Sequence, residues 1–219
     1  MTPALRIGGL TRLTTIDYPG ALSAVVFLQG CSWRCGYCHN QHLLPAGAAG
    51  AMGWASVRDF LVRRRGLLDA VVFSGGEPTL QSGLKSAAAE VRTLGFRVGL
   101  HSAGISPERL ADVLDAVDWV GLDIKAPGEQ YDSITGVARS GAKARAALMH
   151  VLRSGVGYEC RTTWHEGLFP PERLLALGHE LLDAGVTHWS VQGCDGRSTA
   201  AAAQLLAPLA PRFRSLLFR

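Results

Sequence analysis

Three cysteines, Cys31, Cys35 and Cys38, stand within the ten residues CSWRCGYCHN at 31–40, spaced C-x3-C-x2-C. Thiolates are soft ligands that select iron–sulfur clusters, zinc or cuprous copper. Three is one short of the set that a structural zinc or a fully ligated four-iron cube takes. On a 4Fe-4S cube, three cysteines would leave one iron free to bind a substrate atom. On zinc, His39 or His42 would complete a tetrahedral set of three cysteines and one histidine. The spacing alone leaves both open. The total of five cysteines is odd and clustered, which does not fit a secreted disulfide framework. It points to a reducing interior and a metal or redox role, hence to the cytoplasm. Cys160 and Cys194 read as small buried apolar groups.

A second group lies further on, SGGEP at 74–78. Gly75 and Gly76 allow unusual dihedrals and close approach to a ligand. Glu77 can accept from an ammonium group, and Pro78 stiffens the turn. Alone, this string reads equally well as a bare strand-to-helix turn. It gains weight from its position, one structural unit after the cysteines.

The elements that must position these groups alternate. Short runs rich in Val, Ile, Leu and Phe recur at 24–28, 70–73, 96–100, 119–124, 158–163 and 188–192. Their length suits strands buried on both faces. Between them, 54–65, 81–94, 107–117, 140–153 and 171–184 carry helical periodicity. Ser106-Pro107 and Pro170-Pro171-Glu172 look like helix starts, and Gly95 and Gly185 like left-handed ends. Six strand–helix units in order predict a parallel α/β fold: a single domain shaped as an incomplete (β/α)6 barrel, a partial TIM barrel. An open doubly wound sheet is the alternative. The core is expected at about 20–193, with an N-terminal lead-in at 1–19 and a helical or irregular tail at 194–219. In such folds chemistry sits at the carboxyl ends of the strands. The cysteines, Ser74–Pro78, His101–Gly104, Asp123–Lys125, Arg161 and Gln192 all fall there, so one mouth is predicted.

Composition excludes several classes. At 47% hydrophobic and 18% charged residues the chain reads as ordinary globular protein. A net charge of +4 is too weak to argue for nucleic acid. No apolar run approaches the ~18 residues of a membrane span, and no secretion signal is read at the N-terminus.

The motifs together resemble the radical S-adenosylmethionine superfamily. Within it the chain is most similar to the glycyl-radical enzyme activating family, and there to the activating protein of anaerobic ribonucleoside-triphosphate reductase. The residues that carry this are IDYPG at 16–20, QGCSWRCGYCHN at 29–40, SGGEP at 74–78, GLDIKAP at 121–127 and YDSITG at 131–136. The resemblance runs from about 7 to 192. It implies an oxidoreductase whose Cys31, Cys35 and Cys38 ligate three irons of a 4Fe-4S cluster. The fourth iron would take the amino and carboxylate groups of S-adenosyl-L-methionine. Glu77 with the backbone of Gly75 and Gly76 would hold the amino group, and Tyr37 would pack near the adenine. Asp123 and Lys125 would lie at the methionine and ribose end, with Ser102, Arg161 and Gln192 as weaker cofactor contacts. Trp33 would cover the cluster. No side chain need act as acid or base, since the cofactor carries the chemistry. The implied partners are a glycyl-radical enzyme, with anaerobic ribonucleotide reductase first, and a flavodoxin or ferredoxin as electron donor.

There is one departure. Relatives often carry Asp-Thr-Asn-Gly or Thr-Asn-Gly after the third strand, where this chain has His101-Ser102-Ala103-Gly104. The monovalent cation that the aspartate helps bind in some relatives is therefore not expected in the same form. Two other readings stand beside the activase. One is a radical enzyme of the same fold acting on a peptide or small molecule. The other is a zinc-stabilised binding protein, which leaves SGGEP and DIK without a purpose.

Overall fold

The computed structural model describes residues 5–219, apart from the Asp195 side chain; residues 1–4 of the expected lead-in lie outside it. Eight strands form one sheet in chain order. They are β1 (Ile7–Thr14), β2 (Ser23–Leu28), β3 (Ala70–Gly75), β4 (Arg97–Ser102), β5 (Trp119–Asp123), β6 (Gly157–Trp164), β7 (His188–Gly193) and β8 (Ser215–Phe218). From β2 onward every neighbour is parallel, and β1 runs antiparallel along β2. The crossovers carry α1 (Trp54–Val62), α2 (Leu84–Thr93), α3 (Pro107–Val113), α4 (Tyr131–Thr135), α5 (Ser140–Ser154), α6 (Pro171–Asp183) and α7 (Ala200–Leu206). β1 and β8 do not pair, so the sheet curls without closing. The result is the expected splayed α/β barrel.

The apolar runs form strands because both faces are covered. Along β2 and β3, Ala24, Val26, Val71 and Phe73 pack outward against the helices. The alternate residues Val25, Ala70 and Val72 form a separate inner cluster. Each helix turns one stripe to the sheet; on α6 these are Leu174, Leu177 and Leu181. Gly95 and Gly185 take left-handed φ after α2 and α6, as their positions predict. Ser106 occupies the N-cap position of α3 but makes no side-chain cap.

The inner cluster is closed from below by the turn Asp17-Tyr18-Pro19-Gly20. Tyr18 is buried against Trp119, ring centroids 5.6 Å apart, with the Arg97 guanidinium 4.9 Å from its own centroid. The turn is thus a plug.

Two strands depart from the sequence reading. β1, IGGLTRLT, lies inside the expected lead-in; its glycines and polar residues hide an edge strand that only pairing with β2 defines. β8, SLLF, lies inside the expected helical or irregular tail and is too short to show a period. It adds a seventh parallel strand. Among the described residues no helix is long and apolar enough to cross a membrane.

Candidate active site

The carboxyl ends of the parallel strands open on a cavity of about 450 Å³. Cys31, Cys35, Tyr37 and Cys38 line it from the loop after β2, Gly75 and Gly76 from β3, and Ser102 from β4. Asp123, Lys125, Arg161 and Gln192 line it from β5 to β7. Eleven of the twelve residues singled out in the sequence therefore meet at one mouth. The twelfth, Glu77, does not line it.

The cysteine loop is held at several points. The Gly30 N–H donates to the Leu43 carbonyl at 2.7 Å and the Cys31 N–H to the Leu44 carbonyl at 3.1 Å, closing the loop on itself. The Gln29 side-chain amide donates to the carbonyls of His42 and Pro45. α4, the YDSIT segment, buttresses the middle: the Arg34 N–H donates to the Thr135 carbonyl at 2.8 Å. The Arg34 guanidinium caps the carbonyls of Cys31 and Trp33 at 2.8 and 3.0 Å. All three cysteines are free thiols, half-buried. Burial pushes the Cys31 thiol up to about 11 and raises that of Cys35, with the Lys125 charge working against it in both.

The Gly75–Glu77 segment clamps this loop. Gly75 has φ +116°, and a β-carbon there would run into the backbone of Leu28; one on Gly76 would run into the Gly30 carbonyl. That closeness lets the Gly76 N–H donate to Leu28 O at 2.9 Å and the Glu77 N–H to Gly30 O at 2.8 Å. The glycines serve strand–loop contact as well as access to the cavity. Glu77 itself is fully buried. Its Oε1 accepts from Thr79 N, Thr79 Oγ1 and Ser102 Oγ at 3.1, 2.7 and 2.9 Å, and its Oε2 from Ala103 N at 2.8 Å. It caps the turn at Pro78–Leu80 and ties the end of β3 to the end of β4. Burial raises its pKa, and these four donors oppose the rise. The carboxylate expected to hold an ammonium group is occupied within the protein. Ser102 is likewise spent, donating to Glu77 and accepting from Gly104 N at 3.0 Å.

Across the cavity stands a charged trio. Asp123 Oδ2 accepts from Lys125 Nζ at 3.2 Å, and Oδ1 from Arg161 Nη2 and Nε at 3.1 and 3.3 Å. Burial alone would raise the Asp123 pKa; the two cations outweigh it and hold the carboxyl below its usual range. Burial would lower Lys125, but Tyr37, Asp123 and Cys35 hold it well above the usual lysine range. The trio therefore carries one net positive charge, suited to a carboxylate ligand. The Asp123 side chain is 34% exposed, against 11% for Lys125 and 12% for Arg161, so it meets an incoming ligand most openly. Lys125 Nζ lies 5.5 Å from the Tyr37 ring centroid, a cation–π contact linking the trio to the cysteine loop. Tyr131 Oη accepts from Lys125 N at 3.1 Å and donates to Asp123 O at 3.2 Å, setting the Asp-x-Lys turn. Gly121 makes room for Arg161: a β-carbon there would lie 2.7 Å from Arg161 Cζ.

His101 lines the cavity with its Nε2 2.9 Å from the carbonyl of Asp17, so the neutral ring donates from Nε2 to the plug. Burial, with the Arg161 charge, drives its pKa to about 3. Sequence reasoning missed Arg219, which lines the cavity from beyond β8 and forms a two-pronged pair with Glu159 at 2.9 and 3.0 Å. An arginine in a tail without motifs gave no signal for this.

The donor set suits an iron–sulfur cluster. Three free thiols from one clamped loop face a cavity that also presents a cationic wall. Among the described residues no three His, Cys, Asp or Glu side chains gather into a single-ion site. A cluster spreads its ligand positions over separate irons and does not need such a gathering.

Comparisons with known proteins agree. Residues 25–173 match the Radical SAM superfamily. A Methanocaldococcus jannaschii protein named "Putative glycyl-radical enzyme activating enzyme MJ1227" is 32% identical over 170 residues, 72% of this chain and 68% of that protein. The pyruvate formate-lyase-activating enzyme of Clostridium pasteurianum is 30% identical over 142 residues, 62% of this chain and 59% of that protein. The fold matches the crystal structure of Streptococcus suis SuiB bound to S-adenosylmethionine, with a TM-score of 0.68 at 14% identity, over 87% of this chain and 48% of that one. The chain thus spans about half the length of that solved structure. With the cysteine loop, its glycine clamp and the charged wall on one mouth, the chain belongs to the Radical SAM superfamily and is an enzyme of it.

Proposed function

We propose that this chain is a glycyl-radical activating enzyme, and that its partner is anaerobic ribonucleoside-triphosphate reductase. The observation that carries the reading is the convergence of the cysteine loop and the Asp123–Lys125–Arg161 trio on one open cavity. Cys31, Cys35 and Cys38 hold a 4Fe-4S cluster, and S-adenosylmethionine binds beside it. Together the two groups supply a 5′-deoxyadenosyl radical when an electron enters.

The chain's own residues bind, orient and shield. Lys125 and Arg161 set a positive wall for the methionine carboxylate, and Asp123, the most open of the trio, takes the ribose or amino end. Tyr37 lends an apolar face beside Lys125 for the adenine. Glu77 acts from behind, fixing the Gly75–Gly76 edge. No side chain has to move a proton. The sheet does not close between β1 and β8, and this opening supports lateral entry of a glycine-bearing loop. Glycine suits this because it has no side chain to block approach.

The partner is tested by incubating the reduced, cofactor-loaded protein with anaerobic ribonucleotide reductase or with pyruvate formate-lyase, under exclusion of oxygen. A glycyl radical signal by electron paramagnetic resonance on the reductase alone supports the partner. A signal on the lyase alone moves the partner. Steady cofactor consumption on a small molecule, with no protein radical, favours the other radical-enzyme reading.

A further inference from the structure

Trp33 lies between Cys31 and Cys35 and lines the same cavity. Its ring is 1% exposed and meets Tyr131 edge to face, centroids 5.8 Å apart. Its Nε1–H is sealed from solvent and has no hydrogen-bond partner. The indoles of Trp54, Trp164 and Trp189 behave differently. They donate to Glu90 Oε2 at 2.7 Å, to Phe169 O at 3.0 Å and to Thr162 Oγ1 at 3.0 Å. Buried N–H groups are almost always paired, so each exception asks for an acceptor. The Tyr131 hydroxyl is committed to Asp123 and Lys125, and its ring is at most a weak acceptor. The nearby carbonyls of Cys31 and Trp33 itself are taken by Arg34.

We infer that the Trp33 Nε1–H donates to a sulfur of the cluster held by Cys31, Cys35 and Cys38, either a thiolate or a sulfide. This rests on the cluster assignment made above. Such a bond stabilises the more negative, reduced cluster more than the oxidised one, so it raises the reduction potential. Trp33 is then a positioning and tuning residue that eases electron entry, and its packing on Tyr131 is what aims it. α4 carries both Tyr131 and the Thr135 carbonyl that holds Arg34, so one short helix sets the tryptophan and its loop together.

The test is a redox titration of the reconstituted cluster without S-adenosylmethionine, followed by electron paramagnetic resonance. Wild type is compared with Trp33→Phe and with protein carrying 3-benzothienylalanine at position 33, an isostere with sulfur in place of N–H. Loss of one hydrogen bond to a charged acceptor should shift the midpoint negative in both. At a fixed potential the ratio of reduced to oxidised cluster should fall about tenfold. Wild type labelled with ¹⁵N in the indole should show a nitrogen coupling to the reduced cluster. An intact cluster in the isostere with the wild-type midpoint would overturn the inference while leaving the cluster standing. A wild type that assembles no cluster would overturn the cluster assignment first. If Trp33→Phe loses its cluster through poor packing, the isostere still decides.

Discussion

Replacing Glu77 by Gln separates two roles that the sequence cannot tell apart. In the structure Oε1 accepts three hydrogen bonds and Oε2 one. A glutamine keeps its oxygen on the side of the three donors and turns its amide toward the Ala103 N–H. One charge-assisted bond is lost, and two buried donors face each other. Each unsatisfied buried donor costs about 1–3 kcal/mol. Removing a buried charge returns part of this, because burial already disfavours the carboxylate. The net expectation is a loss of about 2–3 kcal/mol, which for a chain of this size lowers Tm by roughly 5–10 °C. The assay is anaerobic thermal unfolding by circular dichroism, paired with calorimetric titration of S-adenosylmethionine. Tm should drop with cofactor affinity reduced less than about tenfold, since a direct charge-assisted contact would be worth that or more. An unchanged Tm with a large loss of affinity would refute the strut and return Glu77 to the cofactor.

Changing Cys31, Cys35 or Cys38 to Ala should abolish the functional cluster, seen as loss of its absorbance and of 5′-deoxyadenosine formation; full-rate cofactor cleavage in any of them would break the ligand assignment. Gly121→Ala should displace the Arg161 guanidinium from Asp123, because its β-carbon would lie 2.7 Å from Cζ. That atom ends a flexible side chain, so Tm should move little while affinity for S-adenosylmethionine falls about tenfold or more; unchanged affinity would remove Arg161 from the cofactor. His101 has a native pKa of about 3 against an ordinary value of 6.5. As pH falls below 6.5 the unfolded chain takes the proton first, so stability present above 6.5 is lost on the way down. At pH 5 wild type should lose up to about 2 kcal/mol more than His101→Gln. Urea unfolding at pH 7.5 and 5.0 checks this, and parallel losses in the two proteins would show that His101 is not buried neutral.

The mouth of the barrel was legible because strand periodicity and strand order are local signals. Each apolar run was followed by its polar residue, and parallel topology sends all such residues to one end. Residue type marked the cysteine loop as a metal or redox site, and the resemblance, not the spacing, favoured the cluster over zinc. Glu77 was not legible in the same way. Its identity fits an ammonium acceptor and a buried cap equally well, and the bonds that make the cap form only where β3 meets β4. Tyr18, Tyr131 and Arg219 share this limit. Each works through a partner 60 or more residues away or through a turn geometry, the His101–Asp17 bond above the plug spanning 84 positions. β1 and β8 stayed hidden because an edge strand with two glycines and a four-residue strand carry too little pattern to outweigh loop composition.

The proposed function stands on delivery of a radical from this cavity to a glycine of a partner protein. It is tested most directly with anaerobically reconstituted, reduced protein, S-adenosylmethionine, and reductase whose glycines carry deuterium at the α-carbon. The expected product is 5′-deoxyadenosine that carries one deuterium, formed together with a glycyl radical on the reductase. Unlabelled 5′-deoxyadenosine without a protein radical would contradict the activase. A colourless, zinc-loaded protein that forms none would contradict the radical enzyme as well.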